Sequence, residues 1–193
     1  MYIFLVPLFV GFVFNWASAF THFFSRRWGE RAGKRASFIM RNVLGIPVWA
    51  YGLVLAGKES SPPLYSPNLT SEALGWLLVV LGTILMVWAL LLLGFRSFRP
   101  TERDTLVSNG IYNFIRHPIY SGLLLDLMAF PLMRPRMPVF LASALGWGYV
   151  FIQARLEELD LVERIPAYRQ YMERVPRFFP RLANRETPHR SQT

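Results

Sequence analysis

The sequence predicts an all-α membrane protein, built as a polytopic bundle of about five transmembrane helices. Apolar residues make up 53% of the 193 residues and charged residues only 17%, below the fraction of about a quarter that is usual in soluble domains. The charged residues are clustered, and the uncharged segments between them approach the roughly 20 residues that a helix needs to cross a bilayer. Cysteine is absent, which excludes a disulfide framework, thiolate metal sites and a cysteine nucleophile.

The first three apolar segments are separated by polar stretches. Residues 1–24 contain no charged side chain other than the titratable His22, and no basic leader precedes them. We therefore expect a retained helix rather than a cleaved signal peptide. Residues 38–56 carry one charge, Arg41, near their start, and residues 73–95 carry none. The third segment is thus the clearest predicted span.

The last two apolar segments are predicted to form a tight helical hairpin. Residues 118–133 contain one charge, Asp126, and residues 138–154 contain none. A short Arg-Pro-Arg turn separates them, and its proline stops a helix because it lacks an N–H group. The chain is then expected to form one membrane domain, residues 1–181, followed by a polar tail, residues 182–193.

The basic residues predict the orientation in the membrane. The formal net charge is +9, and the basic side chains lie at the ends of apolar segments, which favours membrane orientation over nucleic-acid binding. Residues 25–37 contain five basic residues, residues 57–72 only one, and residues 96–117 and the C-terminal tail are basic again. The positive-inside rule places the N-terminus outside and these three basic regions in the cytoplasm. The Arg-Pro-Arg turn of the hairpin is an exception to this rule, because it is basic but would lie outside. The exception disappears if the hairpin does not fully cross the membrane.

Two polar clusters flank this hairpin. Arg116 and His117 precede Pro118, and proline suits the first position of a helix because no hydrogen bond is lost there. The two side chains therefore lie at the positive end of a helix dipole, beside free N–H groups that suit an anion. Glu157 and Glu158 follow the second helix. Antiparallel packing is expected to bring the two clusters together.

The combined clusters match the chemical groups of S-adenosylmethionine. Its carboxylate suits an arginine or helix N–H groups, its ammonium and ribose hydroxyls suit a carboxylate, and its adenine suits an aromatic wall. Aromatic residues lie nearby in the sequence, namely Tyr112, Tyr120, Tyr168, Tyr171 and Phe178. A nucleotide cofactor could use many of the same groups.

The motifs together resemble a known superfamily of membrane enzymes. The sequence GIYNFIRHPIYSG at residues 110–122 is followed by the Glu157–Glu158 pair and by YRQYMERVPRFFP at residues 168–180. This combination resembles the isoprenylcysteine carboxyl methyltransferase and phospholipid methyltransferase superfamily, over about residues 103–180. The resemblance implies a C-terminal segment that encloses S-adenosylmethionine at the cytoplasmic face, and a groove between helices that admits a lipophilic acceptor.

The resemblance also implies roles for individual residues. Arg116, His117 and Glu157 form the predicted catalytic set. The predicted cofactor contacts are Val107, Gly110, Ile111, Tyr112, His117, Pro118, Tyr120, Glu157, Glu158, Tyr171, Arg177 and Phe178. No metal site is predicted, because the three histidines do not lie at the spacing of metal ligands.

The sequence therefore predicts methyl transfer from S-adenosylmethionine to a lipophilic or membrane-associated acceptor, such as an isoprenylcysteine carboxylate or a phospholipid amine. Two alternatives stay open. A sterol-reductase-like enzyme also has an H-P-x-Y segment and a Y-x-x-Y tail, but would use NADPH. A non-enzymatic scaffold or transport subunit would not require the two clusters to meet. A small thiol or an isoprenoid acid is equally open as the acceptor, and so is the oligomeric state.

Two charged residues lie within predicted spans. Arg41 and Asp126 are unusual there, because a charge inside a membrane is costly and is usually paired or functional. Two interpretations stay open, an ion pair between these two side chains and a role in binding the acceptor.

Overall fold

The computed structural model describes residues 2–94 and 105–181, and these are predominantly helical, which confirms the predicted all-α membrane bundle. Residues 95–104 and the predicted polar tail, residues 182–193, lie outside the described residues. In chain order, the structure contains α1 (Leu5–Ser18), α2 (Thr21–Trp28), α3 (Glu30–Ile39), a π-helical segment (Met40–Gly45), α4 (Ile46–Lys58), α5 (Leu69–Leu93), a 3-10 turn (Gly110–Asn113), α6 (Pro118–Met133), α7 (Met137–Arg164) and α8 (Tyr168–Arg174).

All five predicted spans fall on helices. Among the described residues, three helical segments are long and apolar enough to cross a membrane alone: Glu30–Lys58, which runs from α3 to α4, and the helices α5 and α7. The first predicted span is broken, because α1 and α2 meet at an angle of 65°; together they could form a fourth crossing. The fourth predicted span, α6, has only 16 residues, fewer than the roughly 20 that a full crossing needs.

The helices extend into segments that the sequence predicted to be polar connections. Residues 25–37, expected to form a cytoplasmic loop, instead belong to α2 and α3, which are separated by Gly29 with a φ of +84°. Glycine adopts this angle readily because it has no Cβ. An ion pair between Lys34 and Glu30 at 2.7 Å supports the first turns of α3. At the other end, α7 continues to Arg164 instead of ending at residue 154, because its polar continuation consists mainly of good helix formers.

Glycines allow α1 and α4 to approach within backbone contact. A Cβ at Gly11 would lie 2.3 Å from the backbone nitrogen of Trp49, and a Cβ at Gly52 would lie 2.8 Å from that of Leu8. Any side chain at these glycines would push the helices apart. This packing fixes the position of the π-helical segment that enters α4.

A second close pair is formed by α5 and α6. A Cβ at Gly122 would lie 2.4 Å from the carbonyl oxygen of Gly82, and a Cβ at Gly82 would lie 2.6 Å from that of Gly122. Small residues at such crossings are typical of helix pairs in membranes. The rest of α5 is largely exposed and apolar, as expected for a helix that faces lipid; the exposed side chains include Leu77, Ile84, Val87 and Leu91.

The main core lies where α1 meets α4, α6 and α7. Phe12 stacks on Tyr149 with 4.4 Å between ring centroids, and Leu124 of α6 is buried in the same cluster. A smaller cluster around Tyr168 and Tyr171 packs α8 beneath the end of α7. The candidate site lies between these two clusters.

Candidate active site

The segment before α6 is held by pairing with the residues that follow α8. The helix α6 begins at Pro118, as the sequence predicts. The backbone N–H of Arg116 donates to the carbonyl oxygen of Pro176 at 2.9 Å, and that of His117 donates to Arg177 at 3.0 Å. These two hydrogen bonds fix Arg116 and His117 beside residues that lie about sixty positions later in the sequence.

Glu158 is the centre of a buried ionic network. Its side chain is completely buried; its Oε1 forms an ion pair with Arg116 Nη2 at 3.0 Å and accepts a hydrogen bond from Arg177 Nε at 3.0 Å. The same oxygen lies 3.2 Å from His117 Nε2, and Oε2 accepts from Arg177 Nη2 at 2.5 Å. A buried carboxylate needs such partners to offset its lost hydration. Glu158 therefore joins α7 to the start of α6 and to the C-terminal segment.

Glu157 has different surroundings. Its Oε1 accepts hydrogen bonds from Arg41 Nη2 at 2.5 Å, from the Tyr120 hydroxyl at 2.8 Å and from Gln153 Nε2 at 3.1 Å. Its Oε2 accepts no hydrogen bond from any residue in the ranges 2–94 and 105–181. One oxygen is thus fully engaged by the protein, and the other is available to a bound molecule.

A cavity of about 480 Å³ opens beside Glu157. Its charged wall contains the Arg41–Glu157 pair and a second pair, in which Arg164 Nε donates to Asp160 Oδ2 at 2.6 Å. Arg116 also lines the cavity while its guanidinium contacts the buried Glu158. Each arginine of the wall therefore has a carboxylate partner.

Three tyrosines from the C-terminal half line the cavity. They are Tyr112, Tyr168 and Tyr171, and the Tyr171 hydroxyl donates to the carbonyl oxygen of Tyr112 at 2.5 Å. Burial raises the pKa of Tyr171 to about 12 and raises the pKa of the other two phenols further. These tyrosines are therefore neutral and present aromatic surface and hydroxyl groups to the cavity.

Apolar side chains from three membrane helices also line the cavity. They are Ile46 and Trp49 of α4, Met86 and Leu90 of α5 and Leu123 of α6. The lining thus combines charged, aromatic and apolar groups, and this combination suits two ligands of different polarity.

The structure separates the predicted site residues into two groups. The residues that line the cavity are Val107, Tyr112, Arg116, His117, Pro118, Tyr120, Glu157 and Tyr171. The residues that do not line it are Gly110, Ile111, Glu158, Arg177 and Phe178. Phe178 is buried in the main core. Its carbonyl oxygen accepts a hydrogen bond from the Ser121 hydroxyl at 2.8 Å, which anchors the C-terminal segment to α6.

Sequence reasoning missed several cavity residues from the N-terminal helices. Asn15 of α1 lines the cavity, and its side-chain amide donates to the hydroxyl of Tyr149, which lines it too. Trp49 contributes from α4. The signal in the sequence for this region is Asn15, a polar side chain within an apolar segment, although such residues are also common as packing groups between membrane helices.

Of the two interpretations left open for Arg41 and Asp126, an ion pair between them is not found in the structure. Arg41 reaches across to Glu157, whereas Asp126 lies on α6 against Gly82 of α5. The Oδ1 of Asp126 is buried and has no hydrogen-bond partner among the described residues. The two charges therefore belong to different parts of the bundle.

Residues 70–168, slightly more than half of the chain, match the phospholipid methyltransferase family. The chain belongs to this family. The matched region begins in α5 and includes both polar clusters, so it starts earlier than residue 103, where the recognisable motifs begin. Arg41 lies outside it, on the N-terminal side.

Several bacterial relatives are similar over part of their length. Cobalt-zinc-cadmium resistance protein CzcN of Cupriavidus metallidurans is 32% identical over 111 residues, covering 57% of this chain and 49% of that protein. Methanethiol S-methyltransferase 1 of Bradyrhizobium diazoefficiens is 31% identical over 133 residues, covering 64% and 45%. A methanethiol S-methyltransferase of Pseudomonas sp. is 32% identical over 115 residues, covering 56% and 43%.

The chain spans about half the length of these curated relatives. No solved structure matches it. Family membership and the apolar helices together identify the protein as an integral membrane protein.

Proposed function

We propose that this protein transfers a methyl group from S-adenosylmethionine to a lipophilic or small apolar acceptor. The observation that carries the proposal is the cavity beside Glu157, whose lining combines charged, aromatic and apolar side chains. Its volume of about 480 Å³ lies within the range of roughly 300–1,000 Å³ that is typical of small-molecule sites. Membership in the phospholipid methyltransferase family supports methyl transfer over the reductase and scaffold alternatives.

The polar groups of the cavity fit S-adenosylmethionine. Arg116 has a buried Nε without a hydrogen-bond partner among the described residues, and Ile119 and Tyr120 bring the first turn of α6 to the cavity wall. These groups suit a carboxylate. The free Oε2 of Glu157 suits an ammonium or ribose hydroxyls. Because the wall carries paired charges of both signs, it suits a ligand that is itself zwitterionic.

The predicted roles of the site residues are refined accordingly. Glu157 is assigned to direct contact with the ligand. Arg116 and His117 line the cavity, and their contacts with Glu158 hold both side chains in a fixed orientation. Arg177 is assigned a supporting role, as a second arginine that holds the Glu158 carboxylate in place. The tyrosines of α8 are assigned to the adenine.

When bound, S-adenosylmethionine supplies a methyl group that is already activated on its sulfonium. The residues of the chain therefore have to align the acceptor and exclude water. The buried network around Glu158 holds the start of α6 in place, and the apolar side chains of α4, α5 and α6 keep water from the acceptor. A carboxylate acceptor needs no base, whereas an amine or thiol loses a proton, for which His117 in the cavity wall is the candidate base, since both oxygens of Glu157 are assigned to other partners.

The apolar side chains of the cavity support a lipophilic acceptor. Met86 and Leu90 come from the lipid-facing helix α5, and Ile46 comes from α4. A lipophilic acceptor could therefore approach from the bilayer. A small thiol is a specific candidate, because relatives from Bradyrhizobium diazoefficiens and Pseudomonas carry methanethiol S-methyltransferase in their names.

The proposal includes a sidedness. The basic residues of α2 and α3 lie near the same end of the bundle as Asp160, because the backbone N–H of His22 donates to Asp160 Oδ1 at 2.8 Å. The positive-inside rule would place this end, and with it the cofactor, in the cytoplasm and the N-terminus outside.

The decisive experiment is calorimetric titration of the detergent-purified protein with S-adenosylmethionine, with NADPH in parallel. We expect saturable binding of S-adenosylmethionine and none of NADPH. Measurably weaker binding by Glu157→Gln than by wild type would assign the site. The matched control is Glu163→Gln on the same helix, since the Glu163 side chain is 65% exposed, and this variant should bind normally.

Acceptors are then compared by transfer of a labelled methyl group to methanethiol, to an isoprenylcysteine analogue and to phosphatidylethanolamine. Transfer to one of them names the acceptor class. A folded protein that binds NADPH and not S-adenosylmethionine would overturn the proposal in favour of a reductase, and a folded protein that binds neither would favour a scaffold.

A further inference from the structure

Arg41 lies in an unusual part of the backbone. It belongs to the π-helical segment Met40–Gly45 that connects α3 to α4, and such segments are rare and often occur at functional sites. The segment is held in place by close packing, since a Cβ at Gly45 would lie 2.6 Å from the carbonyl oxygen of Met40 and 2.9 Å from the Cβ of Asn15. The position of Arg41 is therefore well determined by α1.

The side chain of Arg41 reaches into the candidate site. Its Nη2 donates to Glu157 Oε1 at 2.5 Å, and the two side chains are only 16% and 18% exposed. Its Nε lies 3.4 Å from the hydroxyl of Ser18 in α1. A charge inside a membrane protein is costly unless it is paired, so each of these two charges requires the other.

The ion pair with Arg41 determines which carboxylate oxygen of Glu157 can contact a ligand. Arg41 shares Oε1 with Tyr120 and Gln153, and three donors on one oxygen fix the orientation of the carboxylate. The Oε2 atom is thereby left for the ligand. Both Arg41 and Glu157 line the cavity.

We propose that Arg41 is a positioning residue of the site, supplied by a segment outside residues 70–168 that match the family. Its guanidinium holds the Glu157 carboxylate in the orientation in which Oε2 binds the cofactor. This inference rests on the proposed function. It implies that the N-terminal helices complete the site, in addition to anchoring the chain in the membrane.

The competing interpretation is an ion pair that stabilises the bundle only. The two interpretations differ in what the Arg41→Met variant loses. A purely structural pair would lower the melting temperature and leave the affinity of the folded protein for S-adenosylmethionine unchanged. A positioning residue would lower the affinity of the protein that remains folded.

The test is calorimetric titration with S-adenosylmethionine of the full-length wild type, Arg41→Met, Arg41→Lys, Glu157→Gln and the Arg41→Met/Glu157→Gln double variant. We expect Arg41→Met to weaken binding by about tenfold or more, because Glu157 loses the partner of its buried charge. Arg41→Lys should recover part of this loss. In the Glu157→Gln background, Arg41→Met should cause little further loss, since the two residues act through one interaction.

The matched control is Lys34→Met. Lys34 also forms an ion pair on the helix that precedes Arg41, but it is exposed and contacts only Glu30 among the described acidic residues; normal binding is expected. Should Arg41→Met not fold, Arg41→Gln removes the charge and keeps a hydrogen-bond donor, and it should still bind more weakly than wild type.

Two results overturn the inference. If wild type binds and the folded Arg41 variants bind equally well, Arg41 is structural and the proposed function survives. If folded wild type binds no S-adenosylmethionine, the proposed function fails and the inference fails with it.

Discussion

Glu157 and Glu158 are neighbours on α7, but only Glu157 lines the cavity, while Glu158 is completely buried behind it. Successive residues of a helix point about 100° apart, so the two carboxylates necessarily have different surroundings. Glu158 contacts Arg116, His117 and Arg177, and Glu157 contacts Arg41 from the N-terminal half. A pair that is one motif in the sequence therefore serves two purposes in the structure.

We expect Glu158→Gln to destabilise the protein strongly. The substitution removes the negative charge that offsets Arg116 and Arg177, and breaking a buried ion pair typically costs about 3–5 kcal/mol. Thermal unfolding in detergent, followed by circular dichroism, measures the change. Glu163→Gln is the control, because that side chain is exposed. A melting temperature close to that of wild type would show that Glu158 is not the centre of the fold's ionic network.

We expect Tyr120→Phe to weaken binding of S-adenosylmethionine by several-fold while leaving the protein folded. The change removes one of three donors to Glu157 Oε1, and a hydrogen bond to a charged group contributes about 1.5–3 kcal/mol. Tyr51→Phe is the matched control, since Tyr51 is 57% exposed on α4. Equal dissociation constants for the two variants would contradict the role of Tyr120.

We expect Gly122→Ala to loosen the pairing of α5 with α6. Its new Cβ would lie 2.4 Å from the carbonyl oxygen of Gly82, so the backbone has to shift, at a cost of about 1–3 kcal/mol. Gly148→Ala is the control, because nothing lies within 4 Å of a Cβ there. Comparison of the two melting temperatures tests the prediction, and equal values would mean that the helices separate without cost.

We expect stability to fall at alkaline pH because of the tyrosines around α8. Burial raises the pKa of Tyr171 from 10.0 to about 12, so above pH 10 the unfolded chain releases a proton that the folded chain keeps. The contribution of Tyr171 to the free energy of unfolding is fully present below pH 10 and is lost as the pH rises towards 12. Tyr171→Phe should make the pH dependence less steep. Melting temperatures across this range, with tyrosinate absorbance recorded alongside, provide the measurement.

Much of the fold was predictable from local patterns. Each of the five apolar segments is helical, and α6 begins at Pro118 as expected. The helix ends were less predictable, because polar stretches rich in helix-forming residues continue α7 to Arg164 and build α2 and α3 on either side of Gly29. Hydropathy detects where a helix leaves the membrane, whereas hydrogen bonding decides where it ends.

The site was predictable in part. The convergence of Arg116 and His117 with the glutamate pair followed from antiparallel packing of a hairpin, and the structure brings both side chains into contact with Glu158 but not with Glu157. The contribution of Arg41 was not predictable in this form, since its partner Glu157 is more than one hundred positions away. The pairing depends on how α1 and α4 pack against α7.

The sequence alone therefore determined the helical membrane fold, the superfamily and the two clusters that flank the hairpin, because these depend on composition, proline placement and short motifs. Only the tertiary structure decided that Glu157 faces the cavity, that Glu158 is sealed behind it, and that Arg41 rather than Asp126 completes the charged wall. These outcomes depend on helix rotation and on contacts between distant segments, and glycine packing at α1–α4 and α5–α6 sets the geometry that produces them.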